Sequence, residues 1–532
     1  MKLSPALAAN AKATTLERVE AGGFDAIVVG AGAAGGLAAL LLTEAGLKTL
    51  VVDAGVAGGM RRPFTAPFSA MVRSVATPEM FAALPASVSN LGRKGLRAAG
   101  LMRQPMQSRC FAWQMDPLQF VDDRDNPYAS ADGGEFTWFR VRQPGGRMIV
   151  PGHGRQYYRL SAMDFRPDDG LSPAWPIRQG ELNDWYAAVE RRLNLSGRRD
   201  GVDWTPDSEI ANEIAPTPAE QELMDLVAAR WPQQRAVLGR FAKPLDALDQ
   251  AAATGKLHLR RGAIVREIIT DKGRATGVAF VDDATATTRK VSAPLVFLCA
   301  STLESTRILM LSGLGRASGA LGRNLMDHIV MSGHGQGGAL PGGKVVLESG
   351  RSVFLPRFDR RCGGAGEGQR GFGVQLYRSS QGAGSYFQAV SFSEMTPRAE
   401  NIVELDMSRK DRWGVPTLRI ACSANGDELA RAGRQADAIR EIADAAKVKL
   451  ADVNVRPSPP GMAIHECGTA RMGDAPENSV LDPANECWDA RGLYVTDASS
   501  FPSQGTQNPT LTLMALTARA VNRAIKKDGA HG

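Results

Sequence analysis

Asp25-Ala26-Ile27-Val28-Val29-Gly30-Ala31-Gly32-Ala33-Ala34-Gly35-Gly36-Leu37-Ala38-Ala39-Leu40-Leu41-Leu42, followed by Lys48-Thr49-Leu50-Val51-Val52-Asp53, is the stretch that decides the fold. An apolar strand runs into a Gly-x-Gly-x-x-Gly turn, then an apolar helix, then a second apolar strand closed by an acid. Glycines at these spacings let the chain turn tightly, let a pyrophosphate approach the backbone, and let helix and strand pack closely. The helix N-terminus offers free N–H groups and a partial positive charge to phosphates. Asp53 stands about 20 residues beyond the glycines, where an acid suits ribose hydroxyls. The fingerprint alone is weak; strand, helix, second strand and acid in this order predict a dinucleotide-binding βαβ unit. Gly30, Gly32, Ala33, Ala34, Gly35, Asp53 and Ala54 are its expected contacts.

The chain has 532 residues, too many for one simple core. With 43% hydrophobic and 22% charged residues it reads as globular rather than disordered. A net charge of +7 admits an anionic partner, but no basic run with interleaved aromatics marks a nucleic-acid surface. The lopsided stretch lies from Arg61 to Arg109, where Arg61, Arg62, Arg73, Arg93, Lys94, Arg97, Arg103 and Arg109 face only Glu79. It reads as a lid, or as a surface that docks a partner subunit or membrane. The six cysteines form no CxxC, so no zinc or local iron–sulfur site is expected. No apolar run reaches the ~18 residues that span a bilayer. The first ten residues make a poor signal peptide, so the expected location is cytoplasmic, with co-export on a partner as the alternative.

Further along, Leu182, Trp185, Tyr186, Val189 and Leu193 share one face of an expected helix over 181–194. Strands are expected within 257–282 and at Pro294–Cys299, the last feeding a helix from Thr302. Residues 330–455 change character: strand-like Gly373–Tyr377 and Ile402–Leu405 alternate with glycine-rich loops before a helix from Glu428 to Lys447. Residues 491–497 return to the buried-strand style, and Asn508-Pro509-Thr510 opens the last helix.

Two C-terminal segments carry a resemblance. These are His465-Glu466-Cys467-Gly468-Thr469-Ala470-Arg471-Met472-Gly473 and Gln507-Asn508-Pro509-Thr510-Leu511-Thr512. With the βαβ unit, Gly145-Gly146 and Gly322-Arg323-Asn324-Leu325-Met326-Asp327-His328, they resemble the glucose–methanol–choline family of flavin oxidoreductases. Gly154–Ser161 and Trp175-Pro176-Ile177 make the chain most similar to bacterial glucoside 3-dehydrogenases and pyranose-oxidase-like members. The resemblance implies an α/β fold: a Rossmann-like FAD-binding domain plus a β-sheet-rich substrate domain. The FAD domain is expected over 24–56, 142–170, 250–329 and 456–528, and the substrate domain over 171–249 and 330–455. Residues 1–23 are expected to form a loose arm and 57–141 a lid or partner-docking insertion. Val150 stands near where pyranose oxidases attach FAD to histidine, so the FAD here is expected to be non-covalent.

The resemblance also implies alcohol oxidation with a His–Asn or His–His pair. Removing a hydroxyl proton needs a base with a pKa near neutral, and His465 is that candidate. Asn508 would bond the alcohol oxygen and fix the carbon. Asn before Pro also reads as a helix N-cap, and both readings stay open. His328 is expected to orient backbone, and His258 and His334 to be structural or surface. Gly145, Gly146, Val265, Ala300, Asp497, Ala498, Asn508, Pro509 and Thr510 are further expected cofactor contacts. His153, Arg155, Gln156, Tyr157 and Gln507 are expected substrate contacts, and no metal is expected. The favoured function is oxidation of a ring hydroxyl of a sugar or glycoside, at C3 or C2, to a ketone. Electrons would pass to an acceptor or O2, with a small partner subunit or cytochrome as a further partner. The alternatives are another alcohol (choline, a sterol or a long-chain alcohol) or a flavin-bearing lyase on the same fold.

Overall fold

The computed structural model describes residues 4–55, 103–113, 115–131, 135–167, 170, 172–346, 348–358 and 371–529. Most of the expected 57–141 insertion, including the basic stretch up to residue 102, lies outside them.

The fold is built on two sheets. The first runs Thr288–Ser292, Arg274–Asp282, Ala490–Val495, Leu295–Leu298, Ala26–Val29, Thr49–Asp53, Leu257–Arg261. From Ala490–Val495 onward its strands are parallel, with Val28 opposite both Val51 and Phe297. Every residue of Ala26–Val29, Thr49–Asp53 and Leu295–Leu298 is buried. Runs of β-branched and apolar residues therefore serve as strands with both faces covered. Helix Ala33–Glu44 covers one face, packed against Thr510–Gly529 and Ala247–Ala253 through Ala38, Ala39, Leu42, Ala251 and Val521.

The second sheet, antiparallel where its register is defined, runs Lys449–Val453, Ile329–Gly337, Gly384–Ser393, Phe372–Gln381, Val353–Leu355, Val237–Leu238. Along Gly384–Ser393 burial alternates residue by residue. The buried side packs on helix Gly426–Ala445, where Ile439 lies beneath Gly333. That helix starts in a capping box: Asn425 Oδ1 accepts from Glu428 N at 2.8 Å, and Glu428 accepts in return from Asn425 N at 2.8 Å. No described helix is long and apolar enough to cross a membrane.

Several boundaries differ from the sequence reading. The arm 1–23 is helical, over Pro5–Ala13 and Leu16–Glu20. Ser4 caps the first helix with Pro5 at N1, Leu7 is buried, and Asn10 donates to the Leu257 carbonyl at 2.6 Å. The expected boundary at 250 falls inside helix Ala247–Ala253, which packs whole on the cofactor-side helix. Helix Asn183–Leu193, expected with the substrate domain, lies against Thr510–Gly529.

Candidate active site

The glycine turn is tight because nothing else fits. Gly30 has φ +92°, and a Cβ there would lie 2.6 Å from the Cys299 carbonyl oxygen. A Cβ on Gly35 would lie 1.9 Å from the Gly30 carbonyl oxygen, so the helix start sits directly on the turn. Beside Gly32 the space is open. It faces a cavity of 1430 Å³ lined in part by Ala31, Gly32, Ala33, Ala54, Gly145 and Arg142. Buried Asp53 ties the turn shut, accepting from Ala31 N at 3.0 Å and Gly55 N at 2.8 Å. Its removal from water pushes its pKa up, against the pull of those two N–H groups. An open, glycine-floored helix start over a cavity of this size fits a dinucleotide.

The 145–149 turn closes over this cradle. Gly145 N donates to the Ala31 carbonyl at 2.7 Å, and Gly146 lies against the Gly32 backbone. Arg147 in the same turn pairs with Glu466 at 2.8 Å, which brings His465 to the cradle. The neighbouring Ile464 sits at φ +65°, a conformation that costs a non-glycine residue about 1–3 kcal/mol. Asp327 holds it there. One carboxylate oxygen accepts from Gly461 N at 2.6 Å and Ala463 N at 3.2 Å; the other accepts from His465 N at 3.0 Å. Burial, then the charge of Glu466, push the Asp327 pKa up to about 7.

The protons on the paired histidines follow from geometry. His328 Nε2 lies 2.6 Å from the Gly505 carbonyl, which can only accept, so that nitrogen carries the proton. Burial holds the His328 pKa down at about 4, so the ring is neutral and its Nδ1 is an acceptor. His465 Nδ1 lies 2.8 Å from that acceptor and must donate. Burial first, then His328, Arg147 and His153, hold the His465 pKa well below 6.5. The neutral ring therefore presents a bare Nε2, which faces Asn508 Nδ2 at 3.4 Å. Asn508 Oδ1 accepts from Gln375 Nε2 at 3.0 Å. The Asn508 amide is thus turned to Gln375 and His465, and the helix after it begins at Thr510. The half-buried ring of Phe392 lies 5.7 Å from His465 and 5.8 Å from His328, on the sheet face turned away from helix Gly426–Ala445.

Other expected site residues are distributed around this centre. Asp497 accepts from Ser305 and Ser499 side chains and caps the short turn Ala498–Ser500. Ala300 N donates to Ser305 Oγ at 3.1 Å, and the Ala498 carbonyl accepts from Gly468. Val265 is buried in its strand opposite Phe280, and Ala34 is buried in its helix. The Pro509 carbonyl accepts from Leu513 N. Among the expected substrate contacts, Tyr157 is fully buried with its hydroxyl on the Gly154 carbonyl at 2.9 Å. Buried Gln507 donates to the Trp204 carbonyl at 2.9 Å, and buried Gln156 to Ser352 and Tyr377. Arg155 donates to the Met148 and His153 carbonyls and lines the cofactor cavity. His153 lies 3.9 Å from Cys110 Sγ and edge-on to Phe111, with burial holding its pKa near 3. Tyr157, Gln156 and Gln507 thus each spend a donor on the protein. Sequence reading passed over Asp327, Gln375, Tyr377 and Phe392. The first stands in the Gly322–His328 motif; the others sit at alternate positions of strands, where only the fold shows which face looks inward.

A histidine nitrogen with a free lone pair beside an open glycine cradle is an arrangement that suits an oxidoreductase. Comparison with known proteins says which kind. Models of the GMC oxidoreductase family match the chain, the N-terminal part over residues 239–330 and the C-terminal part over residues 397–517. It is 29% identical to 2-methyl-1,2-propanediol dehydrogenase from Mycolicibacterium austroafricanum, over 77% of this chain and 84% of that one. It is 28% identical to C-glycoside 3-oxidase from Arthrobacter globiformis, over 50% of this chain and 52% of that one. Its fold matches pyridoxine 4-oxidase from Mesorbium loti with a TM-score of 0.59 at 20% identity, over 94% of this chain and 99% of that one. The protein is a flavoprotein oxidoreductase with FAD as its cofactor.

Proposed function

We propose that this enzyme oxidises a ring secondary hydroxyl of a sugar or glycoside, at C3 or C2, to a ketone, with His465 as the base. More broadly, it acts on alcohols or sugars. The observation that carries the reading is the bare Nε2 of a neutral His465 facing the N–H of Asn508 at 3.4 Å. A hydroxyl seated beside the pair, against both atoms, donates its proton to Nε2 and accepts from Asn508 Nδ2. FAD, held by the Gly30–Gly35 turn, Ala54 and Gly145, supplies the hydride acceptor when bound. Neutral His328 leaves His465 free to take a proton rather than share one. Phe392 supplies an apolar wall for the carbon face of a ring, while the Nδ2 end of the Asn508 amide supplies a polar contact.

A second reading, oxidation of a small vicinal diol, is favoured by the likeness to the propanediol dehydrogenase over most of both chains. Anaerobic flavin bleaching by a panel of glycosides and diols separates the two. Bleaching by glycosides supports the sugar reading, and bleaching by diols alone supports the second. Admitting air then distinguishes oxidase from dehydrogenase. His465→Ala should keep FAD bound and lose about 100- to 10,000-fold in flavin reduction rate. Full reduction by that variant would sink the base assignment.

A further inference from the structure

The Asn508 amide has two ends of almost equal shape and opposite function. Only its N–H end toward His465 Nε2 makes a slot that both donates to and accepts from one hydroxyl. Something must choose that end, and the amide is in contact with a row of side chains that runs from Gln156 to Tyr377 and Gln375 on strand Phe372–Gln381.

Gln156 Nε2 lies 3.3 Å from the Gly350 carbonyl, 3.0 Å from Ser352 Oγ and 2.9 Å from the Tyr377 hydroxyl. A main-chain carbonyl only accepts, so this end of Gln156 is the amide N–H end. The Tyr377 oxygen accepts from Gln156, and its proton goes to Gln375 Oε1 at 2.9 Å. Gln375 is thereby turned with Nε2 outward, and that nitrogen donates to Asn508 Oδ1 at 3.0 Å. Asn508 is left with Nδ2 toward His465. The histidine arrives at the same point from the other side, its proton fixed by His328 and the Gly505 carbonyl. Two rows, each anchored on a main-chain carbonyl, meet with a donor facing a lone pair.

We propose that Gln156, Tyr377 and Gln375 are positioning residues that fix the polarity of Asn508, so that the edge Asn508 and His465 present together takes a hydroxyl in one sense only. Turning Asn508 over would set oxygen against the bare His465 Nε2 and N–H against the N–H of Gln375. Turning Gln375 as well would set its N–H against the Tyr377 proton. Gln156 cannot relieve this by turning, because its oxygen would then meet the Gly350 carbonyl. Gln156 and Gln375 are buried, so each mismatch leaves polar groups unsatisfied away from water. Gln375 and Tyr377 occupy positions i and i+2 of Phe372–Gln381, which puts both on one face of the strand.

This inference rests on the base assignment of His465, and the test separates the two. Gln375→Glu keeps the shape but can only accept, which should turn Asn508 over and add a negative charge near His465. The other titratable groups near His465 are His328, Arg147, His153, Glu466 and Asp327. Gln375→Leu removes the selecting dipole without adding charge, and Tyr377→Phe removes only the link that orients Gln375. The readouts are FAD content, the limiting rate of anaerobic flavin reduction by methyl glucoside or 1,2-propanediol, and ¹⁵N-histidine titration of the holoenzyme. The titration needs no substrate.

Gln375→Glu should lower the limiting rate on the order of 100-fold and move the His465 titration upward, with FAD retained. Gln375→Leu should slow the rate without that upward move, and Tyr377→Phe should cost about 3- to 10-fold. The loss should fall on the limiting rate more than on KM, because the oriented donor matters most as charge builds on the oxygen. An unchanged His465 titration in Gln375→Glu, or parental rates in all three variants beside an inactive His465→Ala, would overturn the polarity chain and leave the base assignment standing. An active His465→Ala would instead remove the base assignment itself.

Discussion

The parallel and antiparallel sheets meet at one site but specify it by different means. On the parallel side the chain presents backbone: Gly32 opens onto the cavity, Gly30 and Gly35 press on carbonyl oxygens, and strands buried on both faces hold the turn. On the antiparallel side it presents side chains from alternate positions of strands whose other face rests on helix Gly426–Ala445. A backbone site tolerates almost no change and is the same for any substrate. A side-chain site can be altered one group at a time and carries the choice of substrate.

The largest effect should come from the parallel side. In Gly35→Ala the new methyl would meet the Gly30 carbonyl oxygen at 1.9 Å, and neither backbone segment has a side chain that can swing away. Ordinary overpacking costs about 1–3 kcal/mol, and a clash between main-chain atoms exceeds that. The protein should purify without visible flavin absorbance, or fail to fold. A yellow, stable Gly35→Ala protein would break the contrast, because the cradle would then be as adaptable as the substrate wall.

The same contrast explains what could be read from the sequence. The cradle was legible because its requirement falls on consecutive residues: an apolar strand, glycines at fixed spacing, an apolar helix and Asp53. The strands at Ala26–Val29, Thr49–Asp53 and Leu295–Leu298 announce themselves as continuous apolar runs. His465 and Asn508 were visible through their segments, and the structure brings them within 3.4 Å. The groups that set their protons were hidden. Gln156, Gln375 and Asn508 are separated by more than a hundred residues at each step and meet only in the folded chain. Tyr157 reads like Tyr377 in sequence, yet its hydroxyl is bound to Gly154 while that of Tyr377 orients the site.

An intermediate effect should appear where the two sides join. Asp327 uses both carboxylate oxygens to hold three N–H groups of the 461–465 loop, including that of His465 itself. Asp327→Asn keeps the size but turns one acceptor into a donor, which then faces an N–H. The strain at Ile464 loses its restraint, and His465 moves relative to the cradle. Flavin reduction should slow on the order of 100-fold with FAD still bound, since the cradle is untouched. Parental rates in this variant would show that the loop is held by its other contacts, among them Gln504 to the His465 carbonyl at 2.9 Å.

The smallest effect should come from the antiparallel side. Phe392 is half-buried, so Phe392→Ala removes a wall rather than a core residue and should leave the fold and FAD content intact. Its ring borders both histidines without bonding either, so the chemical step should hold within about twofold. What is lost is apolar contact with a ring-sized substrate. That contact is worth about 1–2 kcal/mol, or roughly 5- to 30-fold in KM for a glycoside. A three-carbon diol spans too little of the wall to depend on it, so its KM should stay within about twofold. Equal losses for glycoside and diol would mean that Phe392 orients the histidines instead of the substrate. An unchanged KM for both would put the ring-binding wall elsewhere on the half-exposed face of Gly384–Ser393, with Val390 and Gln388 next to be replaced.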